Sequence, residues 1–516
     1  MTATIARAPV RDQDEVPDQR PLDFQLIVRL LRYSRPHARK RNLMMAAVVM
    51  RAIQRPALIA VLAAVITGPI ASGNTRGVVW GVLGFLLLML STQIVLHFRQ
   101  RWSAELGEAV VHDLRRDIFI HLQRMSMSFY SKTKLGWIIS RTTSDVEAVR
   151  TGFQEVLGVS LVQSGQAIGA AALMVWYDWQ MFLLVLFMAP ILWAIHRFFH
   201  SKLSDAYRRM QESFSRVTAN LAESVNGIRV TQSFGRQEVN SEIFGDLVAK
   251  HSASHIDAAR TRGVFLPTLE FNNQFFIALL LCVGCYRVFN AGSSESAIEL
   301  VGALIAFFFL AKMVFEPLVE LGMVYDVALT AMAGAERVFR LLDTPPDWAD
   351  PPDATDLPVI TGHVVFDNVT FGYDPDSPVL HQISFVAKPG QTIALVGATG
   401  SGKTSIINLI AKFYLPNSGS LTIDGCDVRQ VDARSLHRQM GIVLQQNFLF
   451  TGTVKENIRL GRPSANDDQI IEAARELDCC DLIMQLPLGF DTEVGEGGGN
   501  LSLGQRQLVC FARAML

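Results

Sequence analysis

Residues Leu501 to Gln507 read LSLGQRQ, and well upstream Gly397 to Thr404 read GATGSGKT. The upstream string fits G-x-x-x-x-G-K-T, in which Gly400 and Gly402 let backbone N–H groups wrap phosphates and Lys403 reaches the terminal ones. Thr404 offers a hydroxyl to Mg²⁺. The preceding run TIALVG, Thr392 to Gly397, is expected to be an apolar strand covered on both faces, feeding the loop and then a helix from Lys403. The downstream string opens a second helix with small residues, so its first N–H groups also face an anion. A phosphate loop alone says only "nucleotide"; two anion-binding devices in this order narrow the class.

Composition points to a membrane before any motif is read. Half of the 516 residues are hydrophobic and 18% are charged, with a mean hydropathy of +0.25. A net charge of −1 carries no basic excess of the kind nucleic-acid partners require, so nucleic acid is set aside. The six cysteines form no spaced framework. Cys282 and Cys285 make a CxxC inside an apolar run, where packing is expected rather than metal or redox chemistry. The first twenty residues are charged and proline-containing, unlike a cleavable signal.

Apolar runs of about 20 residues, the length that crosses about 30 Å of hydrocarbon as helix, occur six times. They run from about Met44 to Ile70, Val78 to Phe98, Val156 to Tyr177, Met181 to Phe199, Leu266 to Phe289 and Ala297 to Val319. Connections after the first, third and fifth are short; those after the second and fourth are long, helical in pattern and rich in Arg and Lys. With Arg32, Arg35, Arg39, Lys40 and Arg41 ahead of the first span, the positive-inside rule puts the N-terminus, both long loops and the nucleotide site in the cytosol. Phe24 to Tyr33 reads as an amphipathic elbow helix at the membrane surface. The prolines of TPPDWADPPD mark a linker. The expected organisation is a disordered stretch over 1–21, a membrane domain over 22–342, a linker over 343–361 and a nucleotide domain over 362–516.

With six spans, a phosphate loop and an LSxGQ element in that order, the chain resembles the ATP-binding cassette (ABC) transporters of exporter type, in which one polypeptide carries one membrane and one nucleotide domain. The resemblance implies a multidomain membrane protein. Its six-helix α-helical transmembrane domain has long cytosolic extensions, and an α/β P-loop ATPase domain follows. Ser128 to Arg150 and Asn220 to Glu238 resemble the two coupling segments that dock on nucleotide domains.

Carried over residue by residue, Gly397, Thr399, Gly400, Ser401, Gly402, Lys403, Thr404 and Ser405 hold the phosphates of ATP. Tyr373, closing HVVFDNVTFGY, stacks on adenine; that stretch is expected to form an antiparallel strand pair. Gln445, beside Gln446, matches the Q-loop glutamine that touches Mg²⁺ or water and, with Thr404, is assigned to the metal. Glu493 and Glu496 match the loop before the signature. Ser502, Gly504 and Gln505 match the signature that meets the γ-phosphate held by a second half-transporter, homodimeric or heterodimeric; Leu503 departs from the usual glycine. The family places an Asp, a catalytic Glu and a switch His after the ARA-type helix, where this sequence offers none. A C-terminally incomplete copy of a longer transporter is therefore expected, with hydrolysis belonging to the parent.

The spans hold ionisable groups with two readings each. Arg51 and Arg55, near Gln54, either snorkel to headgroups or line a pathway; Lys312 and Glu316 either pair or face a cavity. Asn272, Asn273 and Gln274 with Phe307, Phe308, Phe309 and Phe315 suit an amphipathic or lipid-like substrate. The reading is ATP-driven export by a dimer in the cell membrane, in contact with lipid. A catalytically degenerate partner subunit, and a nucleotide-gated membrane protein without turnover, are the alternatives.

Overall fold

The computed structural model of the chain describes residues 24–290, 293–374 and 376–516, leaving aside the side chains of 24, 157, 196, 200, 294–296, 316, 318–323 and 326. The stretch 1–21 lies outside the described residues, as does the side chain of Glu316. The chain divides into two compact units, one of residues 1–119 and 139–343, the other of 120–138 and 344–516.

In the first unit, six of the described helices are long and apolar enough to cross a membrane: Ala38–Ile70, Thr75–Gln123, Leu135–Tyr177, Trp179–Asn226, Gln237–Phe289 and Ala297–Phe315. The short amphipathic helix Phe24–Tyr33 precedes them. Several run far past their apolar stretch. Gln237–Phe289 has 53 residues, about 80 Å at 1.5 Å per residue. The reversal between the third and fourth spans needs one residue, because Asp178 caps the new helix by accepting from the N–H groups of Gln180 (2.9 Å) and Met181 (3.1 Å). The core gathers Met174, Met181, Val185, Phe276, Leu280, Phe307 and Leu310, with Phe276 edge-on to Phe315 at 5.1 Å. Cys282 and Cys285 are instead exposed, so neither packs in this unit's core.

Val146–Glu155 lies against Ser294–Asp343 at glycine distance. A Cβ on Gly152 would stand 2.1 Å from that of Ala331, and one on Gly334 would stand 2.8 Å from the Asp145 carbonyl oxygen. The same contact buries charge. Asp145 accepts from Arg141 at 2.9 Å and from Arg337 at 2.5 Å.

In the second unit, β1 (Val364–Phe371), β2 (Leu380–Ala387), β3 (Ser418–Ile423) and β4 (Cys426–Asp427) form an antiparallel sheet in the order β2-β1-β3-β4. HVVFDNVTFGY thus supplies one strand rather than a pair; its partners come from later sequence, with a register shift beyond Asp367 beside Asn368 at positive φ. Phe366, Val369, Leu380, Leu409 and Leu421 form the core beneath the sheet. A second core, built on Val454, Ile458, Ile470, Ile483 and Val509, belongs to the helical part that carries the signature.

The expectation for Thr392 to Gly397 fails. The stretch joins no sheet, and Val396 is 91% exposed. A strand becomes covered on both faces only when neighbours bond to its two edges, and among the described residues none runs beside this one. An apolar run states a tendency to be buried; it cannot supply the neighbour.

Asp424, at the β3–β4 turn, accepts from the Thr361 hydroxyl (2.7 Å) and from the N–H groups of Thr361 (2.5 Å), His363 (2.8 Å) and Gly362 (3.4 Å). These donors, the Thr361 hydroxyl foremost and then the backbone amides, outweigh desolvation and hold its carboxyl down at about 2. The folded value lies below the unfolded one of about 3.9. Its stabilising effect is therefore present above pH ~4 and lost as pH falls from there towards 2. Unfolding followed by Trp348 fluorescence should show the native protein more stable than Asp424→Asn at pH 6, with the gap closing across that window. A gap independent of pH would contradict the assignment.

Candidate nucleotide site

Lys403–Ile410 begins at Gly402, whose φ is +87°. Gly400 shares that value, so the loop's two left-handed positions are both glycine. A Cβ on Gly402 would also stand 2.5 Å from a methyl of Leu380. The loop curls round the Lys403 ammonium, which donates to the carbonyls of Gly397 (2.9 Å) and Ala398 (2.7 Å) and to the Ser401 hydroxyl (3.3 Å). Thr399, Ser401 and Thr404 are exposed around it. A cation held at a helix N-terminus among exposed amides and hydroxyls fits a polyphosphate. Lys403 and the loop amides would hold it, and Thr404 would hold its Mg²⁺.

Tyr373 stands beside the loop helix. Its hydroxyl is 3.1 Å from that of Ser405 and accepts from Asn408 at 3.3 Å. Ser405 is buried, so its hydroxyl serves Tyr373 in this structure. The Tyr373 ring packs edge-on to Phe371 and Tyr414, both at 5.1 Å. Tyr414 in turn donates to Ser131 at 3.4 Å, and Ser128 of the same segment bonds Asp347. The first coupling-type segment therefore docks through Ser128 and Ser131, one aromatic removed from Tyr373. Sequence reasoning missed Asn408, Tyr414 and Asp347, since none belongs to a motif and only the fold brings them together.

The signature helix, Leu503–Met515, starts with a capping box. Ser502 Oγ accepts from the Gln505 N–H at 3.2 Å, and Gln505 Oε1 accepts from the Ser502 N–H at 2.9 Å. Ser502, Leu503 and Gly504 are exposed, and nothing lies within 4 Å of a Cβ on Gly504. This helix start is thus open to an outside group. Glu493 lies in the short strand Glu493–Val494 and Glu496 opens the 3₁₀ turn after it. Arg513 ties the helix to the segment after the Q-loop, donating to Phe448 O (3.1 Å) and Asn457 O (2.9 Å); burial pushes its guanidinium down from its usual value. Gln445 is exposed in an irregular stretch. Among the described residues no group of three or more His, Cys, Asp and Glu side chains could hold a metal ion. Asp424, with four donors, is not a free base.

The comparisons extend over both units. A family model described as "ABC transporter transmembrane region" matches residues 42–317 and one described as "ABC transporter" matches 380–516. The chain is 34% identical to an uncharacterized ABC transporter ATP-binding protein, YknV, of Bacillus subtilis, over 84% of this chain and 71% of that one. It is 31% identical to an ATP-dependent lipid A-core flippase of Syntrophus aciditrophicus, over 96% and 81%. A bacterial Atm1-family ABC exporter solved with ATP bound superimposes with a TM-score of 0.71 at 25% identity, over 92% and 84%. Six apolar helices followed by a phosphate loop and an exposed signature helix therefore place the chain in the ABC transporter family, as a multi-pass membrane half-transporter of the exporter type.

Proposed function

We propose that two copies, or this chain and a second half-transporter, export an amphipathic or lipid-like substrate at the expense of ATP. The observation that carries this reading is the open start of the signature helix. Ser502 and Gly504 are exposed there, with open space beside Gly504, on the same domain as the phosphate loop. Loop residues 397–405 would hold ATP, Tyr373 its adenine, Thr404 and Gln445 its Mg²⁺, and the signature of the facing subunit the γ-phosphate. Closure would pass to the spans through Ser128 and Ser131. Bound Mg²⁺ would neutralise phosphate charge; this chain's own contribution is to cradle and orient.

For the substrate, a cavity of about 750 Å³ in the membrane unit is lined by the apolar Leu192, Leu266, Leu269 and Phe315 and by the polar Glu270, Asn272, Asn273 and Lys312. Apolar walls with a few polar groups suit an amphiphile, in line with the lipid named for the Syntrophus relative.

Ser502→Arg puts bulk and charge at the facing γ-phosphate. Transport and ATPase of the dimer should fall to background while nucleotide still binds; full activity would refute the role. The basic loops favour a cytosolic nucleotide domain. A cysteine at Ser144 should then resist impermeant thiol reagents in intact cells and one at Ser293 should react, the reverse pattern refuting that orientation.

A further inference from the structure

Glu270 and Lys312 place opposite charges in the apolar runs of two different helices, Gln237–Phe289 and Ser294–Asp343, and both line the cavity of about 750 Å³. They do not pair with each other. Glu270 Oε1 accepts from Gln274 Nε2 at 2.9 Å, one turn along its own helix, while the Lys312 ammonium stands 5.5 Å from the centre of the Phe308 ring, one turn back on its own. Among the described residues neither forms an ion pair. Asn272 and Asn273 line the same cavity. Asn272 is buried and no hydrogen bond joins its side chain to another described residue, although polar groups so placed normally have a partner.

The charge pattern selects among ligand heads, because charges inside a span are costly and face either a partner or a ligand. An anion gains Lys312 but meets Glu270 in the same cavity, a cation meets the converse, and an uncharged head leaves both groups uncompensated. A head that carries an anion and an ammonium satisfies both. The apolar Leu192, Leu266, Leu269 and Phe315 remain for a chain, and the volume falls within the roughly 300–1,000 Å³ of ligand pockets.

We propose that this cavity takes a zwitterionic amphiphile, its anionic group on Lys312, its ammonium on Glu270 and its chain along the leucines and Phe315. Asn272 and Asn273 offer amide groups to the head. The inference rests on the export reading, whose cargo it narrows.

Single-chain probes that share one photoactivatable diazirine tail and differ only in the head test it: phosphoethanolamine as zwitterion, phosphoglycerol as anion, an ammonium as cation and glycerol as neutral head. The protein is purified in an uncharged maltoside detergent, and adducts on peptides holding 266–273 and 312–315 are counted by mass spectrometry. At equal mole fraction the phosphoethanolamine probe should label wild type about tenfold more than either singly charged probe, equivalent to about 1.4 kcal/mol and near the low end for a hydrogen bond to a charged group. Lys312→Gln should remove its advantage over the cation, and Glu270→Gln its advantage over the anion. Glu270→Lys combined with Lys312→Glu exchanges the charges and should retain the zwitterion's advantage, so that a fold lost in a single variant leaves the exchanged pair to decide. Glu316→Gln, one turn beyond Lys312, should label as wild type does; the pattern of Glu270→Gln appearing there instead would overturn the role of Glu270. Equal labelling by all the heads, or a zwitterion preference that survives both single variants, would overturn this inference and leave the export reading standing. Labelling by none of them would overturn the cavity as a cargo site, and the export reading's substrate with it.

Discussion

Lys403→Ala should abolish ATP-driven transport and weaken ATP binding about 10- to 100-fold, while the protein still inserts with its six spans. The ammonium is the loop's cation, and hydrogen bonds to charged groups are worth about 1.5–3 kcal/mol, which sets the range. Part of that gain is already used, because Lys403 donates to Gly397 O and Ala398 O. A phosphate must displace those bonds, so the lower half of the range is the firmer expectation. Fluorescent nucleotide titration of the detergent-purified protein measures it. Wild-type affinity in the variant would remove Lys403 from the site.

Asp145→Ala should cost about 3–5 kcal/mol of stability, the range for removing one member of a buried ion pair. The carboxylate's side chain is 5% exposed and that of Arg141 11%, so the alanine leaves a guanidinium desolvated against the close-packed Gly152 and Gly334 contacts. Arg337, at 34%, can turn to water and loses less. Replacing Arg141, Asp145 and Arg337 together by apolar residues of similar volume should restore most of the loss, since a whole pair exchanged for packing is often neutral. Thermal unfolding in detergent separates the cases. An Asp145→Ala midpoint within about 2 °C of wild type would show that Asp145 bears no such load.

What sequence conveyed depended on how local the physics is. The six spans were legible because a bilayer demands about 20 apolar residues in a row, whatever they pack against. The phosphate loop was legible because Gly400 and Gly402 must take φ near +87° and Lys403 must follow at once. Ser502 was legible as a helix start, and its capping box with Gln505 follows from their three-residue spacing. Thr392 to Gly397 was misread because coverage of a strand depends on residues far away in sequence. The Tyr373–Tyr414–Ser131 succession and the Asp145 pairing with Arg337 were invisible for the same reason, joining residues separated by up to 283 positions.

The 53-residue helix Gln237–Phe289 has a mechanical side. About 30 Å of its roughly 80 Å is needed for the hydrocarbon, so about 50 Å stands clear as a stiff rod. Tilting such a rod by 5° shifts its free end by roughly 4 Å, about one residue's Cα spacing. Pro267 lies inside this helix, where a missing N–H makes bending cheapest, and it also lines the Lys312 cavity. Motion at the free end is therefore geared down near Pro267, where the lever arm is shortest. Such gearing trades stroke for force: a large swing of the free end becomes a small, strong displacement beside the cavity.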